Sequence, residues 1–110
     1  MDTYYDPEHL KKFGDIADGN DNLAKLFFSY YGEVFAEGAL TVREKALIAL
    51  AVSHAVQCPY CIEAYSNECL TQGSDLEEMT EAVHVATAIR GGASLVHGLQ
   101  MLGHVARKSM

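Results

Sequence analysis

Three features of the sequence predict an all-α fold. Apolar residues recur at helical spacing in successive segments, Thr/Ser-x-x-Glu signatures mark helix starts, and no stretch alternates apolar with polar residues as a strand would. At 110 residues the chain has the size of a single domain with a single core. A hydrophobic content of 49% is enough to build that core and excludes a disordered chain.

Taken in order, residues 1–6 read as a frayed start, and Pro7 suits the first turn of a helix over 7–17. The Asp18-Gly19-Asn20-Asp21 cluster stops it. Leu23, Leu26, Phe27, Tyr30 and Val34 then fall on one face of a second helix that ends before Gly38, with a kink or close contact expected at Gly32. Thr41 and Glu44 form a capping box that opens a third helix over 42–57. That helix is apolar nearly all round, which predicts burial on every side, partly against another subunit. Pro59 restarts the chain as a helix over 59–72 closed by Gly73. A second capping box at Ser74 and Glu77 opens a helix with Leu76, Met79, Val83, Ala86 and Arg90 on one stripe. Gly91-Gly92 is expected to bend it where two backbones meet, and the helix resumes over 93–108 with Arg107 and Lys108 against the C-terminal dipole.

Composition narrows the function. Eight basic against 15 acidic residues give a net charge of −7, which argues against nucleic acid and anionic membrane as partners, since both demand clustered Lys and Arg. The polar, acidic start has no signal-peptide pattern, and the longest apolar run, 46–56, is too short to span a bilayer; a cytoplasmic protein is expected. In a reducing compartment three cysteines do not suggest a disulfide framework, so a redox or metal role for a pair is the better reading. No cofactor motif is visible.

The pair is Cys58-Pro59-Tyr60-Cys61, at the start of the fourth helix. Unpaired N–H groups and the positive end of the dipole stabilise a thiolate there. Cys61 is the candidate nucleophile and Cys58 is near enough to resolve its oxidised form as a disulfide. Cys-Pro-Tyr-Cys also occurs in glutaredoxins, but those need a βαβ setting that this chain lacks. His54, four residues before Cys58, is either a base for the thiols or a core histidine bonded to a backbone carbonyl. Glu63 reads as a solvated or dipole-complementing acid in the first turns after Cys58. Cys69 lies about 12 Å beyond Cys61 along the helix axis and is expected to be a small buried hydrophobe. His84, His97 and His104 have no ligand spacing toward a cysteine, so no resident metal is expected.

The run Glu-Lys-Ala-Leu-Ile-Ala-Leu-Ala-Val from Glu44, the Cys58-x-x-Cys61 pair and Ala-Ile-Arg-Gly-Gly-Ala from Ala88 resemble the alkylhydroperoxidase D / carboxymuconolactone decarboxylase superfamily. The resemblance covers about residues 20–105 and implies one such domain over 1–110. Tyr-Tyr-Gly-Glu-Val-Phe-Ala-Glu-Gly-Ala-Leu from Tyr30 and Cys-Pro-Tyr-Cys-Ile-Glu-Ala-Tyr resemble its arsenosugar-biosynthesis-associated peroxidase-like branch. The resemblance implies an all-helical homo-oligomer, often a trimer or hexamer. It also implies a thiol peroxidase in which Cys61 attacks peroxide and Cys58 resolves, with an unidentified reductant protein. The family's relay glutamate falls on Ala46 and its histidine on Tyr65, so Tyr65 and His54 are the remaining candidates for proton handling. Glu44 is turned away on its helix and is explained by its cap. Two alternatives stand beside the peroxidase: a catalytically silent oligomeric partner, and a thiol-based binder of a thiophilic metalloid (arsenic) or metal.

Overall fold

The computed structural model describes residues 5–109. Among them there is no strand; six α-helices and one 3-10 helix follow in order. They are α1 (Pro7–Lys11), the 3-10 helix (Phe13–Asp18), α2 (Asp21–Phe35), α3 (Val42–Ala55), α4 (Pro59–Thr71), α5 (Leu76–Val96) and α6 (Gly98–Lys108). The all-α expectation holds.

α3 is the central element and packs against both α4 and α5. Ala46, Leu50 and Cys69 form the fully buried centre, with Leu47, Tyr65 and Met79 packed around it. Polar ties fix the same three helices. Arg43 of α3 pairs with Glu78 of α5, and the Arg90 guanidinium donates to the Ala55 carbonyl at the end of α3. The Lys45 ammonium donates to the carbonyls of Val34 (2.8 Å) and Ala36 (2.5 Å), where α2 leaves its carbonyls unpaired.

Caps explain where the helices start. The Thr41–Glu44 box is present in both directions, Glu44 N–H to Thr41 Oγ1 at 3.1 Å and Thr41 N–H to Glu44 Oε1 at 2.8 Å. These bonds hold the Glu44 carboxyl below the usual glutamate range. The second box is one residue later than expected: Asp75, not Ser74, is the N-cap, and Glu78, not Glu77, closes the box. Ser74 instead continues the turn after α4, where its N–H reaches the Cys69 carbonyl at 2.9 Å.

Other boundaries also differ. The first helix breaks at Lys12 (φ −105°, ψ 14°) and continues as 3-10, which ends the expected 7–17 helix early. Tyr5 and Asp6 are not frayed: Asp6 N-caps α1 and Tyr5 reaches α4; the rest of the expected fray, residues 1–4, lies outside the described residues. The third helix stops at Ala55 rather than residue 57, because Gln57 turns left-handed at φ 56°. α5 runs straight through Gly91-Gly92, and a Cβ at either glycine or at Gly32 would meet nothing within 4 Å, so none of them serves a close approach. The interruption falls at His97.

The expected core face of α2 is also corrected. Leu23, Leu26 and Tyr30 are each more than 60% exposed; the inward residues are Ala24, Phe28, Tyr31 and Phe35, offset by one position. α3 likewise leaves Ile48, Val52 and Val56 at least half exposed within one chain. The molecule measures 60 × 36 × 35 Å with a radius of gyration of 19.0 Å, against about 13 Å for a compact chain of this length. Its accessible surface of 8488 Å² exceeds by about 2,500 Å² the roughly 6,000 Å² of a compact 12.0 kDa monomer. No described helix is long and apolar enough to cross a membrane.

Candidate active site

The site is built where α3 becomes α4. Gln57 adopts the left-handed turn, its N–H donates to the His54 carbonyl (3.2 Å), and the Cys58 N–H donates to the Ser53 carbonyl (3.0 Å). This pair of bonds is the Schellman arrangement that closes a helix. Cys58 is therefore the last residue of one helix ending and, with no linker, the N-cap of the next. Its Sγ accepts the Cys61 N–H at 3.2 Å, one of the donors that the first turn of α4 cannot satisfy internally. Pro59 follows at the first helical position, where its missing N–H costs nothing.

Cys58 and Cys61 form a disulfide with Cα atoms 5.2 Å apart. Both sulfur-bearing residues are half-buried and line a cavity of about 420 Å³ whose other walls include Leu10, Phe13, Tyr31, Tyr60 and Tyr65. Cys61 and Tyr65 also line a second apolar cavity of about 390 Å³, between α2 and α3. Cys61 is thus a wall residue of both cavities.

The candidate bases take different positions. His54 is half-buried, and its Nδ1–H donates to the Leu50 carbonyl at 2.8 Å, the backbone-bonded arrangement foreseen as one of its two readings. That bond leaves only Nε2 to accept a proton, and among the described residues neither cavity is lined by His54. Tyr65, one turn after Cys61, stacks on Phe35 with ring centres 5.2 Å apart and packs on the buried centre. Ala46 is 1% exposed and beyond any role in proton transfer. Cys69 is fully buried, and burial pushes its thiol up, as suits an inert core residue. Among the described residues no three His, Cys, Asp or Glu side chains converge as a metal site.

The structure adds residues that the motif did not reveal. His9 of α1 lines the disulfide cavity and places Nδ1 3.3 Å from the Tyr60 hydroxyl. Tyr5 packs edge-on against Tyr60 at 4.5 Å and donates to Glu63 at 3.3 Å, so Glu63 is not simply solvated. Burial and the Glu63 carboxylate hold the Tyr5 phenol above its ordinary range. The only prior signal was the presence of titratable residues near the N-terminus; their partners lie more than 50 residues away.

The carboxymuconolactone decarboxylase family pattern matches residues 21–103. The chain belongs to this family. It is 35% identical over 96 residues to uncharacterized protein 4 in the cox locus of Paracoccus denitrificans, covering 87% of this chain and 86% of that one. A crystal structure from Methanobacterium thermoautotrophicum is similar with a TM-score of 0.75 at 34% identity, over 78% of this chain and 97% of that chain. A Thermotoga maritima family member, described as possibly involved in antioxidative response, is similar with a TM-score of 0.69 at 26% identity, over 87% of this chain and 82% of that chain. These relatives agree with the superfamily resemblance; they do not single out the arsenosugar-associated branch.

Proposed function

We propose that the protein is a thiol-disulfide oxidoreductase of the peroxidase type, with Cys61 as the attacking thiol and Cys58 as the resolving one. The observation that carries the reading is the Cys58–Cys61 disulfide at the N-cap of α4, opening on an apolar cavity. The Cys61 thiolate attacks the terminal oxygen of R–O–OH, giving a sulfenic acid and an alkoxide that leaves as the alcohol after taking one proton. The Cys58 thiolate then attacks the sulfenic sulfur, and hydroxide leaves as water with a second proton. The net change is two thiols and one peroxide to one disulfide, one alcohol and one water. An external dithiol closes the cycle.

The geometry supports this division of labour. Cys61 is the cysteine that lines both cavities. Cys58 Sγ receives the Cys61 N–H, the interaction that favours a thiolate, so it suits both the condensing nucleophile and the leaving group when the donor attacks Cys61. Peroxide consumption with dithiothreitol as donor tests the reading. Cys61→Ser is expected to lose turnover by more than about a hundredfold, and full turnover by that variant overturns it. The arsenosugar-associated likeness belongs with this reading as a narrower substrate setting, tested by competition of trivalent arsenic with alkylation of the two thiols.

A homo-oligomer is part of the proposal. The excess of about 2,500 Å² is well above the roughly 800 Å² that each partner buries in a standard interface. It includes the apolar residues Leu95, Leu99, Leu102 and Val105 of the α5–α6 arm, and Leu23, Leu26 and Tyr30 of α2. Light scattering coupled to gel filtration tests it; a monomer at micromolar concentration overturns it.

A further inference from the structure

α1 lies outside residues 21–103, the segment matched by the family, yet it closes one side of the disulfide cavity. Its N-cap backbone and its His9 side chain converge on one atom. The Tyr60 hydroxyl oxygen accepts the Asp6 backbone N–H at 3.4 Å and stands 3.3 Å from His9 Nδ1. His9 Nε2 lies 3.8 Å from Asp6 Oδ2. Asp6, His9 and Tyr60 therefore make a carboxylate–imidazole–phenol series. It begins at the surface, where the His9 side chain is 61% exposed, and ends on a cavity lined by both cysteines.

Proton positions in this series follow from the inventory of donors. The Asp6 carboxylate facing Nε2 favours the ring proton on that nitrogen, and in this neutral tautomer the Tyr60 O–H donates to His9 Nδ1 while its oxygen accepts the Asp6 N–H. One lone pair of the phenol remains for a further donor. A proton arriving there displaces the phenol's own proton onto Nδ1, and the resulting imidazolium faces a carboxylate. Run backwards, the same series delivers a proton to a leaving alkoxide or hydroxide.

We propose that Tyr60 is the proton-exchanging group of the cysteine pair and that His9 is the residue that positions and reloads it. On activation, one proton moves from the Cys61 thiol, directly or through one cavity water, to the Tyr60 oxygen, while the Tyr60 proton moves to His9; no electrons are transferred. When the alkoxide leaves, that proton returns and His9 is neutral again. Of the two candidates read from the sequence, His54 gives its Nδ1–H to the Leu50 carbonyl and lines neither cavity. Tyr65 lines both but is held there by its stack on Phe35, whereas the Tyr60 hydroxyl has an imidazole nitrogen 3.3 Å away. The charged and titratable groups around His9 are Asp6 at the N-cap of its own helix, Tyr60 from α4, Lys12 and Asp15, which share a surface hollow with it, and Tyr31, Tyr65 and the two cysteines across the cavity.

The proposal rests on the reading of Cys58 and Cys61 as a redox pair, but its test needs no peroxide. The full chain is reduced and alkylated with iodoacetamide across the mildly acidic to neutral range, and each thiol is read by mass spectrometry. His9→Gln keeps an acceptor for the Tyr60 hydroxyl but cannot take its proton. It is expected to slow Cys61 alkylation about tenfold at neutral pH, the equivalent of one unit in thiol pKa, and to change the shape of the pH profile. Tyr60→Phe should do the same, and the double variant should be no slower than either single one, as for two residues on one path. A His9→Gln profile identical to that of the unaltered protein overturns the proposal. So does a profile slowed in His9→Ala but restored in His9→Gln, because only a structural contact would behave that way. Neither result touches the peroxidase reading, which stands or falls on turnover by Cys61→Ser.

Discussion

The α3–α4 junction and the α5–α6 arm are both rich in apolar residues, and they differ in what those residues touch. At the junction Leu50 is 2% exposed and Cys69 is completely buried, and capping and closing bonds fix α3 at both ends and α4 where it meets α3. Along the arm Leu95 is 80% exposed and Leu99 66%, and α6 begins at His97 without a side-chain cap. Eleven residues without a partner make a marginal helix in water. The junction is stabilised from within the chain, while the arm lacks the packing partner that an apolar helix face needs. In the proposed reading, chemistry sits on the first and assembly belongs to the second.

The largest effects should separate the two regions. Leu50→Ala removes a buried side chain between α3 and its neighbours and is expected to cost about 2–5 kcal/mol, measured by urea unfolding. Leu99→Asp with Leu102→Asp changes side chains exposed in the single chain, so within one chain the cost should stay near 0.5 kcal/mol per site. Its effect should appear as a smaller species by light scattering. Loss of the native helical signal in the dilute double variant would mean that the arm, too, is stabilised from within.

The caps rank next. Thr41→Ala or Asp75→Ala should each cost about 1 kcal/mol. Glu44 and Glu78 answer these caps, and both carboxyls are held below the usual range, Glu44 by the Thr41 bonds and Glu78 first by the Arg43 guanidinium. The sign follows from linkage. A depressed folded value stabilises the fold above the ordinary glutamate pKa of about 4.3, and that stability is lost as pH falls through the depressed value. Thermal scans should show Glu44→Gln losing less stability than the unaltered chain over that acidic window; equal losses would detach the cap from the acid response.

Much of the junction was legible because its determinants are local. Thr41 and Glu44 are three residues apart, Pro59 marks a helix start, and a Cys-x-x-Cys pair at that start places both sulfurs in one turn. The inward face of α2 was not legible, because both of its faces are apolar. Periodicity finds the stronger stripe, Leu23 to Val34, without revealing that this stripe stays exposed in the single chain. Gly91-Gly92 misled for a related reason. Two glycines weaken a helix by about 1 kcal/mol each, which well-formed flanking turns can carry without a bend. His9 and Tyr60 were invisible because their contact spans 51 residues, and no spacing rule reaches that far.

The smallest effect bears on the junction itself. Gln57 is the described non-glycine residue with positive φ, and its turn aims the Cys58 N–H at Ser53 while Cys58 Sγ faces α4. A left-handed residue with a Cβ costs about 1–2 kcal/mol, partly offset in a Gln57→Gly variant by the larger entropy of glycine in the unfolded chain. The variant should therefore gain about 0.5–1 kcal/mol by urea unfolding. Gln57→Val, β-branched at the same φ, should lose more than that and should also alter Cys58 alkylation, since the turn that orients its N–H is disturbed. If both variants match the unaltered chain in stability, the turn is not what holds the two helices together. The burden then shifts to the buried contacts of Leu50 and Cys69, and the disulfide sits on a hinge rather than on a locked corner.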